Sequence, residues 1–122
     1  IIYHAAGGTG NGVINACVDN GIYAIGVDSD QSVLAPETVI TSAMKRVDNG
    51  VQDICKALKD NKFEGGEHKY TLADGGVDIA PTQTLLTPEA LAAVEQAKKD
   101  ILDGKVVVPT TTAECPAFTL GN

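Results

Sequence analysis

An α/β fold with a largely parallel sheet flanked by helices is what the sequence predicts, and two observations carry the prediction. The first 28 residues read as a β-loop-α-β unit, and β-prone runs then go on alternating with stretches of helical periodicity across short connections. With 122 residues, 43% of them hydrophobic, the chain makes one ordinary domain at most and can bury a core without staples. Its three cysteines are therefore not a disulfide scaffold.

Taken in order, Ile1 to Ala6 is apolar and β-branched at its start, which predicts a strand, and Gly7-Gly8-Thr9-Gly10-Asn11-Gly12 follows as a tight loop. Val13, Ile14, Cys17 and Val18 then recur at helical spacing and put apolar groups on one face. Gly21 stands where a left-handed C-cap is expected, and Ile22 to Val27 reads as a mostly buried strand ending at Asp28. Ser29 to Pro36 is a loop. Val39 to Ser42 is either a third strand or an extended crossing segment.

From Met44 the spacing of Val47, Val51, Ile54 and Leu58 predicts a helix from about Lys45 to Asp60, with Gly50 its weak position. His68–Ala73 and Val77–Ala80 bracket Asp74-Gly75-Gly76 as a hairpin or a bulged strand. Thr87 is an N-cap, Pro88 fits the first helical position and Glu89 suits the dipole, so a helix carrying Leu91, Val94, Ile101 and Leu102 on one face runs until Gly104. Val106 to Val108 adds an edge strand, and Thr110 to Asn122, without periodicity, is irregular.

Nine Lys and Arg against 16 Asp and Glu leave a net charge of −7, which repels phosphate backbones and anionic lipid and argues against nucleic acid as a partner. The longest apolar runs are a few residues, against the roughly 20 that a membrane-spanning helix needs. The opening on Ile1-Ile2-Tyr3, with no initiator Met and no leader pattern, reads as a fragment whose preceding portion is missing.

The glycine cluster follows a strand and opens a helix, the setting in which backbone N–H groups hold an anion or a polar ligand. Its spacing fits neither nucleotide fingerprint: counted from Gly8 the last glycine of G-x-G-x-x-G falls on Val13, and no Lys follows Gly12. Two readings stay open, a turn that uses glycine for its backbone angles and a loop that something approaches closely. Asp28 ends a strand of the inferred parallel sheet, at the edge where such sheets bind ligands, and a carboxylate there can accept two hydroxyl protons; capping or turn formation is its other reading. Asp30 in the same loop reads as solvated. Lys45, at the head of a predicted helix, is badly placed for a cation on dipole grounds and calls for a partner, either a ligand oxygen or Asp28, unless it is simply a solvated surface group.

No catalytic or metal-binding set emerges. His4 and His68 have no companion at metal spacing and read as structural, Cys17 and Cys55 fall on apolar helix faces and read as buried, and Ser42 lacks the flanking glycines of a nucleophile elbow. No cofactor is called for.

Three segments together, Tyr3-His4-Ala5-Ala6-Gly7-Gly8-Thr9-Gly10-Asn11-Gly12-Val13, Ala24-Ile25-Gly26-Val27-Asp28-Ser29-Asp30-Gln31 and Val39-Ile40-Thr41-Ser42-Ala43-Met44-Lys45-Arg46-Val47-Asp48, resemble a known family. It is the basic membrane protein family of substrate-binding lipoproteins, of the purine-nucleoside receptor type. The likeness runs from about Ile1 to Pro109. It implies the C-terminal portion of a type I periplasmic-binding-protein fold, in which two lobes close over a ligand. Residues 1–35 would end the second lobe, 36–44 would cross the hinge, 45–109 would pack on the first lobe and hinge, and 110–122 would be an irregular tail. It further implies a non-enzymatic ABC transporter component at the bacterial surface or in the periplasm, lipid-anchored through an N-terminal Cys in the missing portion. The partners implied are a nucleoside, the transporter permease and that missing portion. Carried over by position, Asp28 and Lys45 match the ribose-side carboxylate and lysine, and Gly8, Thr9 and Gly10 match the loop lining the pocket. The competing reading is a Rossmann-like enzyme or nucleotide-binding domain that uses the Gly7–Gly12 loop for phosphate.

Overall fold

The computed structural model describes residues 1–82 and 84–118 and divides into two compact units, Ile1–Leu86 and Thr87–Asn122. In the first, strand β1 (Ile2–Tyr3) leads through a 3-10 turn (Gly7–Thr9) into helix α1 (Gly10–Asn20) and then β2 (Ala24–Asp28). A second 3-10 turn (Ser32–Leu34) precedes β3 (Val39–Lys45), which is followed by α2 (Val47–Lys59) and β4 (Val77–Ile79). The sheet order is β1-β2-β3-β4, with β1 and β3 both parallel to β2 and β4 antiparallel to β3. The carboxyl ends of β1, β2 and β3 therefore share one edge, from which the glycine turn, the Asp28 loop and the start of α2 all leave.

The glycine cluster is more ordered than its composition predicts. Gly10 and Gly12 lie within the first turn of α1 instead of in a loop, because Val13, Ile14 and Cys17 reward a helix that starts early. Ile14 and Cys17 are buried against Ala24, Ala35 and Val39, with Val13 packed beside them, and this cluster is the core. Gly21 ends α1 in the left-handed region at φ 61°, as its position predicts.

Val39 to Ser42 is a strand, and it continues to Lys45, which therefore ends β3 and does not head a helix. The dipole argument for a partner to Lys45 falls with that. Gly50 is tolerated in α2 because the Tyr70 ring lies against it, where a Cβ would come 3.4 Å from the ring. The expected strand at His68–Ala73 is absent; the chain there winds into a turn in which Gly76 N–H donates to Thr71 O and the Asp74 carboxylate accepts from Thr71 N–H. Cys55 is exposed, not buried, since α2 turns much of its apolar stripe to solvent.

The second unit comprises α3 (Pro88–Leu102) and the C-terminal segment beyond it. Thr87 caps the helix, its side-chain oxygen accepting from Ala90 N–H at 3.2 Å, and Gly104 at φ 73° stands just past its end. Val106–Val108 forms no strand; Lys105 and Val106 are drawn back onto the helix end, both N–H groups donating to Asp100 O. A 3-10 turn at Cys115–Ala117 interrupts the tail, and Gln83 and residues 119–122 lie outside the described residues.

Candidate functional site

The parallel register sets Asp28 opposite Met44, one residue short of Lys45. Both side chains turn outward at the carboxyl edge, and Lys45 Nζ lies 3.1 Å from Asp28 Oδ1, with each side chain more than half exposed. An ion pair this wet adds about 0–1 kcal/mol to the fold, so its groups remain available to a third party. Asp28 reaches this position from a backbone φ of 65°, unusual for a residue with a Cβ. The turn around it is closed by Ser29 N–H donating to Val27 O at 2.8 Å.

Gly8 and Thr9 are exposed on the adjoining turn, and nothing lies within 4 Å of where a Gly8 Cβ would stand. Gly10 differs. It is buried, and a Cβ there would come within 2.0 Å of the His4 ring. The group that approaches this glycine is thus the protein's own imidazole. Thr9 N–H donates to Ala6 O, and Gly10 N–H turns back to Gly7 O, so two of the amides a phosphate cradle would require already serve the turn.

Asp30 is not solvated as expected. Its Oδ1 accepts from Ser32 N–H at 3.0 Å; burial pushes its carboxyl upward, but hydrogen bonds from Thr82 and Ser32 prevail and hold it below the ordinary range. Three polar residues to which sequence alone assigns no binding role meet beneath the site. His4 Nε2 lies 3.1 Å from Gln31 Oε1, Val27 N–H donates to the same oxygen at 2.9 Å, and Gln31 N–H donates to Ser42 Oγ at 3.0 Å. A serine in the middle of an apolar strand was the available signal, since a buried hydroxyl needs a partner. His68 takes no part, its Nε2 meeting Glu64 O and its ring stacking on Phe63.

A mostly parallel sheet flanked by helices, with a charged pair at its carboxyl edge, is an α/β architecture. One solved structure of that kind, an ABC transporter solute-binding protein from Aeropyrum pernix K1, matches with a TM-score of 0.68 at 25% identity over 94% of this chain and 42% of that one. The family is shown by sequence: residues 1–112 match the model for Bmp, the PnrA-like ABC transporter substrate-binding proteins, and the chain belongs to that family. The ABC transporter nucleoside-binding protein BmpA of Lactococcus lactis subsp. cremoris (strain MG1363) is 37% identical over 90% of this chain and 36% of its own length. A transcriptional activator of the comK gene from Bacillus halodurans matches with a TM-score of 0.75 at 27% identity, over 84% of this chain and 36% of that one. The chain thus spans about a third of the length of the relatives it matches. No helix among the described residues is long and apolar enough to cross a membrane.

Proposed function

We propose that this chain supplies the ribose side of a nucleoside-binding cleft in the receptor of an ABC transporter, and that it works by capture and lobe closure without catalysis. The observation that carries this reading is the Asp28–Lys45 pair, 3.1 Å apart and open to solvent at the carboxyl edge of the parallel strands. A vicinal diol matches such a pair: the carboxylate accepts both hydroxyl protons while the ammonium donates to a sugar oxygen. Gly8 and Thr9 face open space beside the pair and line the pocket, and Gly10 contributes by letting His4 sit beneath it. The name of the Lactococcus relative, a nucleoside-binding protein, supports the ligand class.

In this reading residues 1–35 end one lobe, 36–44 cross the hinge and 45–109 pack on the other lobe, with 110–122 as a tail. The apolar stripe of α2, exposed at Val47, Val51 and Leu58, is the face that would meet that lobe. Closure changes the receptor's shape, which is what a permease can sense. The protein would act at the bacterial surface or in the periplasm, held by a lipid on a Cys outside this chain.

Calorimetry on the intact natural polypeptide with guanosine, adenosine and inosine tests the reading, and the absence of both heat and thermal shift with all three removes it. Asp28→Ala should weaken nucleoside binding by about 2 to 4 kcal/mol as a charge-assisted contact is lost, while unfolding stability falls by only about 1 kcal/mol, since the pair is exposed and the main cost is an alanine at positive φ. The Rossmann-like alternative loses its footing with the amides already engaged at Thr9 and Gly10. A second reading, a ligand-sensing domain of a regulator with the same fold, is favoured by the likeness to the Bacillus halodurans activator. Sequencing the segments that flank this chain in the intact polypeptide separates the two, because only a sensor carries a gene-regulatory module.

A further inference from the structure

Asp28 owes its place in the site to a positive-φ backbone conformation, which a residue with a Cβ adopts at a cost that surrounding contacts offset. At φ 65° the residue sits in the left-handed region, at the centre of a three-residue turn closed by Ser29 N–H to Val27 O. β1 ends at Tyr3, opposite Ile25, so no β1 partner reaches as far as Val27. The Val27 amide donates instead to the Gln31 side chain, which folds back over Gly26, where a Cβ would stand 2.9 Å from Gln31 Oε1 and 2.4 Å from Ser42 Oγ. Gln31 is gripped at both ends, its N–H by fully buried Ser42 and its Oε1 by His4.

The hydrogen-bond roles are determined. Val27 N–H can only donate, so the Gln31 atom facing it is the oxygen. His4 Nε2, facing that same oxygen, must then carry the proton, which in the neutral ring leaves Nδ1 bare; Nδ1 is buried and has no partner among the described residues. The ring, 5% exposed and wedged under Gly10, cannot turn away without displacing the start of α1.

We infer that His4 and Gln31 are positioning residues for the sugar subsite: His4 fixes the Gln31 carboxamide, and the carboxamide holds the Val27–Ser29 turn that directs Asp28 at Lys45. The inference rests on the ribose reading for its functional consequence, and on geometry alone for its structural one.

The intact polypeptide carrying Gln31→Met, which keeps length but removes the oxygen, should bind inosine about tenfold more weakly. It should bind 2′,3′-dideoxyinosine, which lacks the diol, within about twofold of the unsubstituted protein. Gln31→Glu, which restores an acceptor, should recover most of the inosine affinity, and His4→Phe should repeat the Gln31→Met pattern. A ligand-free measurement stands beside these: NMR of the same proteins should show Asp28 with the strong intraresidue amide-to-α-proton contact of a positive φ, lost in Gln31→Met and kept in Gln31→Glu. The inference is overturned if Asp28 keeps its positive φ in Gln31→Met, or if the two ligands lose affinity equally. Should the unsubstituted protein bind no nucleoside, the ribose reading fails by itself, and the Asp28 conformation still decides whether the lock exists.

Discussion

Helices α1 and α2 both carry an apolar stripe, yet α1 buries Ile14 and Cys17 to 1% exposure whereas Val47 and Val51 on α2 are each 58% exposed. α1 lies against the sheet that its own flanking strands make, and its stripe closes the core with Ala24 and Val39. α2 is tied down from a different side. Arg46 N–H donates to Gly76 O, Asn49 donates to Gly75 O and Tyr70 lies on Gly50, all polar or edge contacts that leave the stripe open. Periodicity thus identifies which face of a helix is apolar and says nothing of what covers it. On α2 the stripe is open at Val47, Val51 and Leu58, with Ile54 half-buried between them.

The sharpest way to break this contrast is truncation on each helix. Ile14→Ala should cost about 2–5 kcal/mol by urea unfolding, whereas Leu58→Ala in this 122-residue chain should cost about 0.5 kcal/mol or less. In the intact polypeptide Leu58→Ala should rise into the same range of about 2–5 kcal/mol, provided the stripe meets the other lobe. Equal small losses in both settings would mean that nothing covers α2.

A smaller effect distinguishes two glycines within α1. Gly10→Ala must displace the His4 ring and should destabilise by about 1–3 kcal/mol. Nothing lies within 4 Å of a Cβ at Gly12, so Gly12→Ala should raise stability by about 0.4–1 kcal/mol through helix propensity. Thermal unfolding of the two variants should therefore shift in opposite directions, and a shared sign would show that His4 does not occupy the space beside Gly10.

The smallest effect is electrostatic. Asp30, beside the covered region, and Asp48, on the first turn of α2, both titrate below the ordinary 3.8, Asp30 because hydrogen bonds from Thr82 and Ser32 outweigh its burial and Asp48 because the Arg46 guanidinium bonds it. A carboxyl lowered on folding contributes stability that is complete above the unfolded value and is lost as pH falls through the folded one. Stability should thus decline below about pH 4, and added salt should shrink the shift of Asp48 more than that of Asp30, since the Arg46–Asp48 pair is exposed. Carboxyl carbon shifts tracked by NMR at low and high salt check this.

Much of the fold was legible in advance: the left-handed cap at Gly21, the Thr87-Pro88 start of α3, the strand ending at Asp28 and the helix over Val47, Val51, Ile54 and Leu58 are all where the residues predict. Where the prediction failed, a specific contact a few residues away outweighed the general preference of the segment. Gly10 enters a helix that Val13, Ile14 and Cys17 reward, His68–Ala73 gives up a strand for a turn around Asp74, and Val106 is taken by the end of α3. Of the candidate site, the residue types at Asp28 and Lys45 could be singled out, whereas of the supporting set only Ser42 carried a signal, a hydroxyl inside a mostly apolar strand. His4 and Gln31 look ordinary beside their own neighbours in sequence.

By itself the sequence determined what depends on residues within a turn or two of one another: caps, apolar faces, strand propensity and the family signature. Only the tertiary structure decided which faces are covered, which glycine has a neighbour, and that the Asp28 carboxylate meets the Lys45 ammonium at 3.1 Å. The reason is that a parallel register aligns strand ends that are remote along the chain, and no local preference encodes that alignment.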